Sequence, residues 1–258
     1  SENTWSSHTT VDDDASEAEP PPPPAPTITE DVVVLLGASL LAAQAGYVNV
    51  VAILALGTTV SHVSGTVTKL GLGVERGDGA AVDLLGLVLA FMAGSTVCGL
   101  LIGKNRVNFG RALYGFVLLF VSILLLLGWL FQDEHTKFML AAAMGAQNGM
   151  ATTYSGAVVR TTHLTGIVTD IGLLLGRSAG RYVRAMNYGG MDEIDIEDLH
   201  VDLNKLRLLC ILLLGFFGGS VGGSAAHASM GADALLLPCI FAFVLAAGYI
   251  FYRTWVLH

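Results

Sequence analysis

An all-α, polytopic membrane protein is the fold class this sequence predicts, with six transmembrane helices and two short half-helix or re-entrant segments in a 3+3 inverted repeat. Three observations predict it. Charged residues make up 13% of the 258 and hydrophobic residues 53%, where soluble domains carry about 25% charged residues. Six apolar stretches reach the roughly 20 residues needed to cross a bilayer. A short Thr- and Gly-rich motif occurs twice, between spans 1 and 2 and between spans 4 and 5. The composition excludes an ordinary soluble enzyme, and with a pI near 5.2 and no basic stripe it excludes a nucleic-acid binder.

Taken in order, residues 1–31 come first. They hold eight acids, no Lys or Arg, and a proline run from Pro20 to Pro24. Such a segment cannot bury enough apolar surface to offset chain entropy, so a disordered cytoplasmic tail is expected. The remaining 13 acids face 13 bases, so the tail accounts for the net charge of -8. Residues 32–258 form the transmembrane domain. Its spans read Val32–Leu56, Ala80–Gly103, Ala112–Phe131, Phe138–Val159, Leu206–Ala228 and Ala234–Val256, giving repeat 1 over about 32–131 and repeat 2 over about 137–256. Gly215, Gly219 and Gly223 lie on one helical face, a spacing that lets membrane helices approach closely and that could support a homo-oligomer. Cys98, Cys210 and Cys239 all sit in apolar runs and read as packing residues rather than a disulfide framework.

Orientation follows from the cations. The side carrying both termini has Lys104, Arg106, Arg111, Arg177, Arg181, Arg184, Lys205, Arg207 and Arg253, and the other has Lys69, Arg76 and Lys137. Nine against three places both termini in the cytoplasm. The segment 177–205 then reads as a cytoplasmic loop, basic at its start and acidic after Asp192, with its arginines near anionic lipid.

The repeat is the informative part of the chain. Residues 62–74 and 163–175 align at an offset of 101 with six identities in 13 positions: His62/His163, Gly65/Gly166, Val67/Val168, Thr68/Thr169, Gly71/Gly172 and Leu72/Leu173. Gln44-Ala-Gly46 matches Gln147-Asn-Gly149 at an offset of 103. Each half holds three spans, an odd number, so the second half is expected to be inverted and the motif segments to enter from opposite faces, as in many secondary transporters.

With those residues in view, the chain resembles the YoaK-like membrane proteins. The resemblance rests on AGYVN at Ala45–Asn49, the run His62 to Thr68, MGAQNG at Met144–Gly149 and RTTHLTG at Arg160–Gly166, and covers most of 32–256. It implies a six-helix inner or plasma membrane protein, with transport a presumption only. Asn49 and Thr66 depart from the family, which often has Asp and Asn there; losing the acid puts proton coupling at position 49 in doubt.

The function expected is a secondary transporter or permease for a small polar solute, bound near the midplane by the two motif segments. The substrate-binding candidates are His62, Gly65, Thr66, Thr68, Lys69, His163, Thr165, Gly166, Thr169 and Asp170, with Gln44, Asn49, Gln147, Asn148 and Arg160. Each has a structural alternative. The threonines can bond their own helix carbonyls, the amides can link helices, the glycines can break or pack the half-helices, and Arg160 can anchor at the interface. Lys69 and Asp170 occupy equivalent repeat positions and are expected to meet as a buried pair; the alternative leaves them solvated. No nucleophile–base signature, metal-ligand spacing or cofactor motif appears, so no enzyme, metal or cofactor is expected. The rival is a membrane scaffold or assembly factor. A continuous polar cavity between the motif segments would favour transport, and a solid glycine-packed core the scaffold.

Overall fold

The structure is a computed structural model, describing residues 28–77, 79–103, 113–154 and 160–255. Among these, all regular structure is helical: α1 (Ile28–Leu56), α2 (Val63–Arg76), α3 (Ala80–Ile102), α4 (Leu113–Phe131), α5 (Thr136–Tyr154), α6 (Leu164–Tyr188), α7 (Glu193–Met230), a 3-10 turn (Gly231–Leu235) and α8 (Leu236–Trp255). The acidic tail through residue 27 and the cationic segment 104–112 lie outside the described residues.

Four stretches are long and apolar enough to cross a membrane: 35–56, 80–102, 113–131 and 193–255. The last contains both α7 and α8. α5 is not among them, because Gln147, Asn148, Thr152 and Thr153 lower its hydropathy. Apolar residues cover the outer surface, as expected where lipid is the solvent: Leu100 is 80% exposed and Val82 75%.

Two helix pairs form the centre. α1 packs on α7, and α5 packs on α3. Both crossings are close because glycine permits it. A Cβ at Gly219 would overlap the Ala43 carbonyl, and one at Gly94 the Ala142 carbonyl. The contacts recur in register. Gly215 meets Ser39 as Gly94 meets Ala142, and Gly46 meets Phe216 as Gly149 meets Ser95. The partners differ throughout by 103 residues between α1 and α5 and by 121 between α3 and α7. On the flanks, α2 packs on α3 and α6 on α7. α4 closes against both α5 and α8, while α1 and α8 barely touch. Pro238, in the first turn of α8, has no N–H to give the Ala234 carbonyl, and the Tyr47 hydroxyl donates to that carbonyl instead at 2.9 Å.

One element differs from the sequence expectation. The segment 177–205, read as a loop, is helical on both sides of a tight turn at Gly189 and Gly190, whose φ angles are 87° and 141°. α6 is 25 residues long where α2 has 14, and α7 is 38 where α3 has 23. The Asp192 side chain caps α7, accepting from the Asp195 N–H at 2.7 Å. A heptad-like seam joins the helices: Leu174, Ser178, Arg181 and Ala185 on α6 turn inward against Asp195, Leu199, Asp202 and Leu206 on α7.

Candidate functional site

Both motif helices begin in the same way. His62 and His163 are the N-cap residues of α2 and α6, with φ/ψ of -86°/66° and -91°/59°. Neither side chain makes a capping hydrogen bond. Each imidazole lies over the glycine three residues on, so a Cβ at Gly65 would overlap the His62 ring and one at Gly166 would come 2.8 Å from the His163 ring. The His-x-x-Gly spacing is thus a packing rule: only glycine leaves room for the ring above the first turn.

An asparagine from the preceding helix holds each start. Asn49 Oδ1 accepts from the Val60 and Ser61 N–H groups at 3.2 Å each, and its Nδ2 donates to the Ser61 hydroxyl at 2.6 Å and the Ala45 carbonyl at 2.9 Å. Asn148 Oδ1 accepts from the Thr162 N–H at 3.4 Å and the Thr161 hydroxyl at 3.5 Å. Ser61 and Thr162 are equivalent in the repeat. Asn49 lies seven residues before the end of α1 and Asn148 six before the end of α5. At 1.5 Å per residue, both motif helices therefore start about 10 Å short of those ends. Buried amide groups at that depth need partners, and the two asparagines supply them.

Gln44 and Gln147 are buried at equivalent positions, 4% and 0% exposed. Gln44 Nε2 donates to the Pro238 carbonyl at 3.2 Å, and Gln147 Nε2 to the Leu41 carbonyl at 2.8 Å. Neither Oε1 has a hydrogen-bond partner. A groove of about 200 Å3 between α1, α7 and α8 is lined by Gln44, Tyr47, Pro238 and otherwise apolar side chains.

Among the motif residues, Thr66 is buried, and its hydroxyl donates to the His62 carbonyl at 3.0 Å. The Thr68 hydroxyl donates to Ser64 at 3.0 Å and that of Thr169 to Thr165 at 2.9 Å, both within their own helices. Thr165 and Arg160 are exposed. Lys69 is exposed on α2, and Asp170 pairs with Lys205 of α7 at 3.4 Å, with both side chains more than 40% exposed. The expected meeting of Lys69 and Asp170 is therefore corrected. α2 and α6 flank opposite pairs and do not touch each other. Equivalent positions in the two motif helices therefore do not come together.

An ion-pair cluster escaped the sequence reading. Arg181 reaches Asp202 at 2.5 Å and Asp198 at 3.1 Å, with Asp195 at 3.8 Å. The hydrogen bond to Asp202, aided by the nearby negative charge, raises the Arg181 pKa above the ordinary guanidinium range against a smaller cost of burial. The spacing 174, 178, 181, 185 was the available signal.

Helices of spanning length, glycine-mediated crossings and broken helices pinned by buried amides define a polytopic membrane protein. The family comparison then places it. The sequence profile described as "Protein of unknown function (DUF1275)" matches residues 37–248, and the chain belongs to that family. Comparisons with curated proteins and with solved structures return no match.

Proposed function

We propose that the protein is a permease for a small polar solute in the plasma membrane, built as a 3+3 inverted repeat with six crossings and both termini in the cytoplasm. The observation that carries this reading is where the repeat identities fall. Val67/Val168, Thr68/Thr169, Gly71/Gly172 and Leu72/Leu173 are exposed in both helices. The buried positions have diverged, Thr66 to Ile167 and Gly73 to Leu174. Packing against α3 and α7 constrains the buried faces, so identity on the open faces needs another cause. A solute that meets one face on entering and the other on leaving would impose the same chemistry on both. The registered contacts of α1/α7 and α5/α3 support the repeat. The contrast between the closed α4–α5 contact and the nearly open α1–α8 contact supports two alternating arrangements.

A second reading, the scaffold, draws support from the core. α3, α5, α1 and α7 fill the space between the motif helices and meet through glycines rather than around a polar cavity. Uptake in reconstituted vesicles separates the two. Radiolabelled amino acids, sugars and nucleobases are offered to wild-type protein and to a Thr68→Val/Thr169→Val variant. Uptake of one class above empty vesicles, reduced about tenfold in the variant without loss of folded protein, is expected. No uptake of any class, from protein shown to be folded, rejects the permease.

A further inference from the structure

By the repeat, α1 stands to α8 as α5 stands to α4, yet the two contacts differ. Leu140 of α5 is fully buried on Gly128 of α4, and Ala143 is as deeply buried one turn on. At the offset of 103, their equivalents in α1 are Gly37, with open space around it, and Leu40, 43% exposed. The glutamines differ in the same sense. Gln147, in the closed half, reaches across to the Leu41 carbonyl of α1, whereas Gln44, in the open half, reaches out to the Pro238 carbonyl of α8. The residue of α5 that answers to Leu41 is Met144. Neither Oε1 has a partner, so each amide is held at one end and can change partner without stranding a second bond.

Room for closure is present on α7. Gly219 meets Ala43, and Phe216 and Ser220, on one flank of that crossing, meet Gly46. Gly218 and Gly222 take the other flank, on the side of Gln44 and the groove, and a Cβ on either would meet nothing within 4 Å. Their equivalents on α3, at the offset of 121, are Val97 and Leu101. Among the described residues α3 touches α4, whereas α7 does not touch α8 directly. A pivot is present as well: the 3-10 turn before α8 buries Ala234 and Leu235, and the Tyr47 hydroxyl ties it to α1. We propose that α8 is a gate. Turning about the 3-10 segment, it closes on α1 and on the open glycine flank of α7, as α4 is already closed on α5, and Gln44 passes its amide N–H from the Pro238 carbonyl to that of Met144. The moving helix is α8 because the short turn at 132–135 keeps α4 on α5. This inference shares with the permease reading the premise that the repeat has two arrangements, and it requires no solute.

Disulfide trapping in native membranes tests it. Gly37 lies two turns before Gln44 on α1, and Gly248 two turns after Phe241 on α8, so both take the flanks that face each other across the groove. Both have open space around them, so cysteines there leave the present packing intact. Under copper–phenanthroline, the Gly37→Cys/Gly248→Cys protein is expected to form an internal disulfide well above either single variant. Those single variants also set the background from Cys98, Cys210 and Cys239. Adding Gly218→Leu fills the open flank of α7 and should slow trapping about tenfold, by lowering the closed population, while the protein stays folded. Gly222→Leu replaces it if Gly218→Leu yields no folded protein. No disulfide above the single-cysteine background overturns the gate and leaves the groove a static cleft for a lipid chain. A trapping rate that the leucine does not change overturns it too. Failure of the vesicle uptake assay would reject the permease and leave these cross-links unaltered, so the two readings fail separately.

Discussion

The α2/α3 and α6/α7 hairpins start alike and finish differently. Both open with a histidine over a glycine, both are held from below by an asparagine, and both lean on a helix that a partner crosses through glycine. Then α2 stops after 14 residues at Gly77, in the left-handed conformation, while α6 continues to 25 and turns only at Gly189. What the halves share is what the membrane demands: satisfied backbone at a helix break and close helix crossings. What they do not share lies ahead of Leu206, where an Arg–Asp cluster joins α6 to α7.

The glycine crossings common to both halves are where that comparison is most easily broken. Gly219→Leu and Gly94→Leu place a side chain on a backbone carbonyl and should abolish the monodisperse peak in fluorescence-detected size exclusion. Gly218 and Gly222 have open space around them, so leucine there should leave the peak intact. If Gly218→Leu is as damaging as Gly219→Leu, the α1–α7 pairing is misplaced.

Next comes the asparagine pair, whose two members are unequal. Asn49 makes four hydrogen bonds, Asn148 two longer ones. Asn49→Ala strands two buried N–H groups and should cost about 2–4 kcal/mol, against about 1 kcal/mol for Asn148→Ala. Unfolding in mixed detergent–SDS micelles measures both; equal losses would show that the two breaks are held equally.

A local effect is expected in the hairpin formed by the end of α6 and the start of α7. Arg181→Met leaves Asp198 and Asp202 without their cation, with Arg184 still 3.8 Å from Asp195. Proteolytic nicking near Gly189 and Gly190 should quicken, while the resistance of the membrane body stays unchanged. A parallel loss of body stability would mean that this hairpin is part of the core after all.

The smallest effect concerns charge. Lys69→Met and Asp170→Leu should act additively within about 0.5 kcal/mol, because the residues do not meet. The exposed Asp170–Lys205 pair should show a coupling of about 0.2–1 kcal/mol in a double-mutant cycle. A larger coupling between Lys69 and Asp170 would restore the relay that the structure removes.

Much of this was legible in the residues. The apolar runs mark α1, α3, α4 and α8 within a few residues, because a chain that must match a bilayer carries its hydropathy locally; the run at Leu206 marks only the later part of α7, and α5 is too polar to stand among the four candidate spans. The motif segments were legible as short breaks for the same reason. The hairpin of α6 and α7 was not. Acidic residues after Asp192 suggested a solvated loop, and only the alternation of seam positions hinted at paired helices, with Arg181 occupying a place that usually holds an apolar residue. The meeting of Lys69 and Asp170 was inferred from repeat position alone. Equivalent positions coincide only near a symmetry axis, and no one-dimensional pattern reports distance from it.

The sequence by itself determined the class of solvent each segment meets and the existence of two related halves, since both depend on composition and spacing along one chain. The tertiary structure alone decided which helices pair, that Asn49 and Asn148 hold the breaks, that His62 and His163 need the glycines beneath them, and that Val67, Thr68, Gly71 and Leu72 face outward like their equivalents in α6. Those are contacts between residues far apart in the chain. Their strength depends on distance and geometry across a packed interface, and a residue's identity does not carry that information until the chain has folded around it.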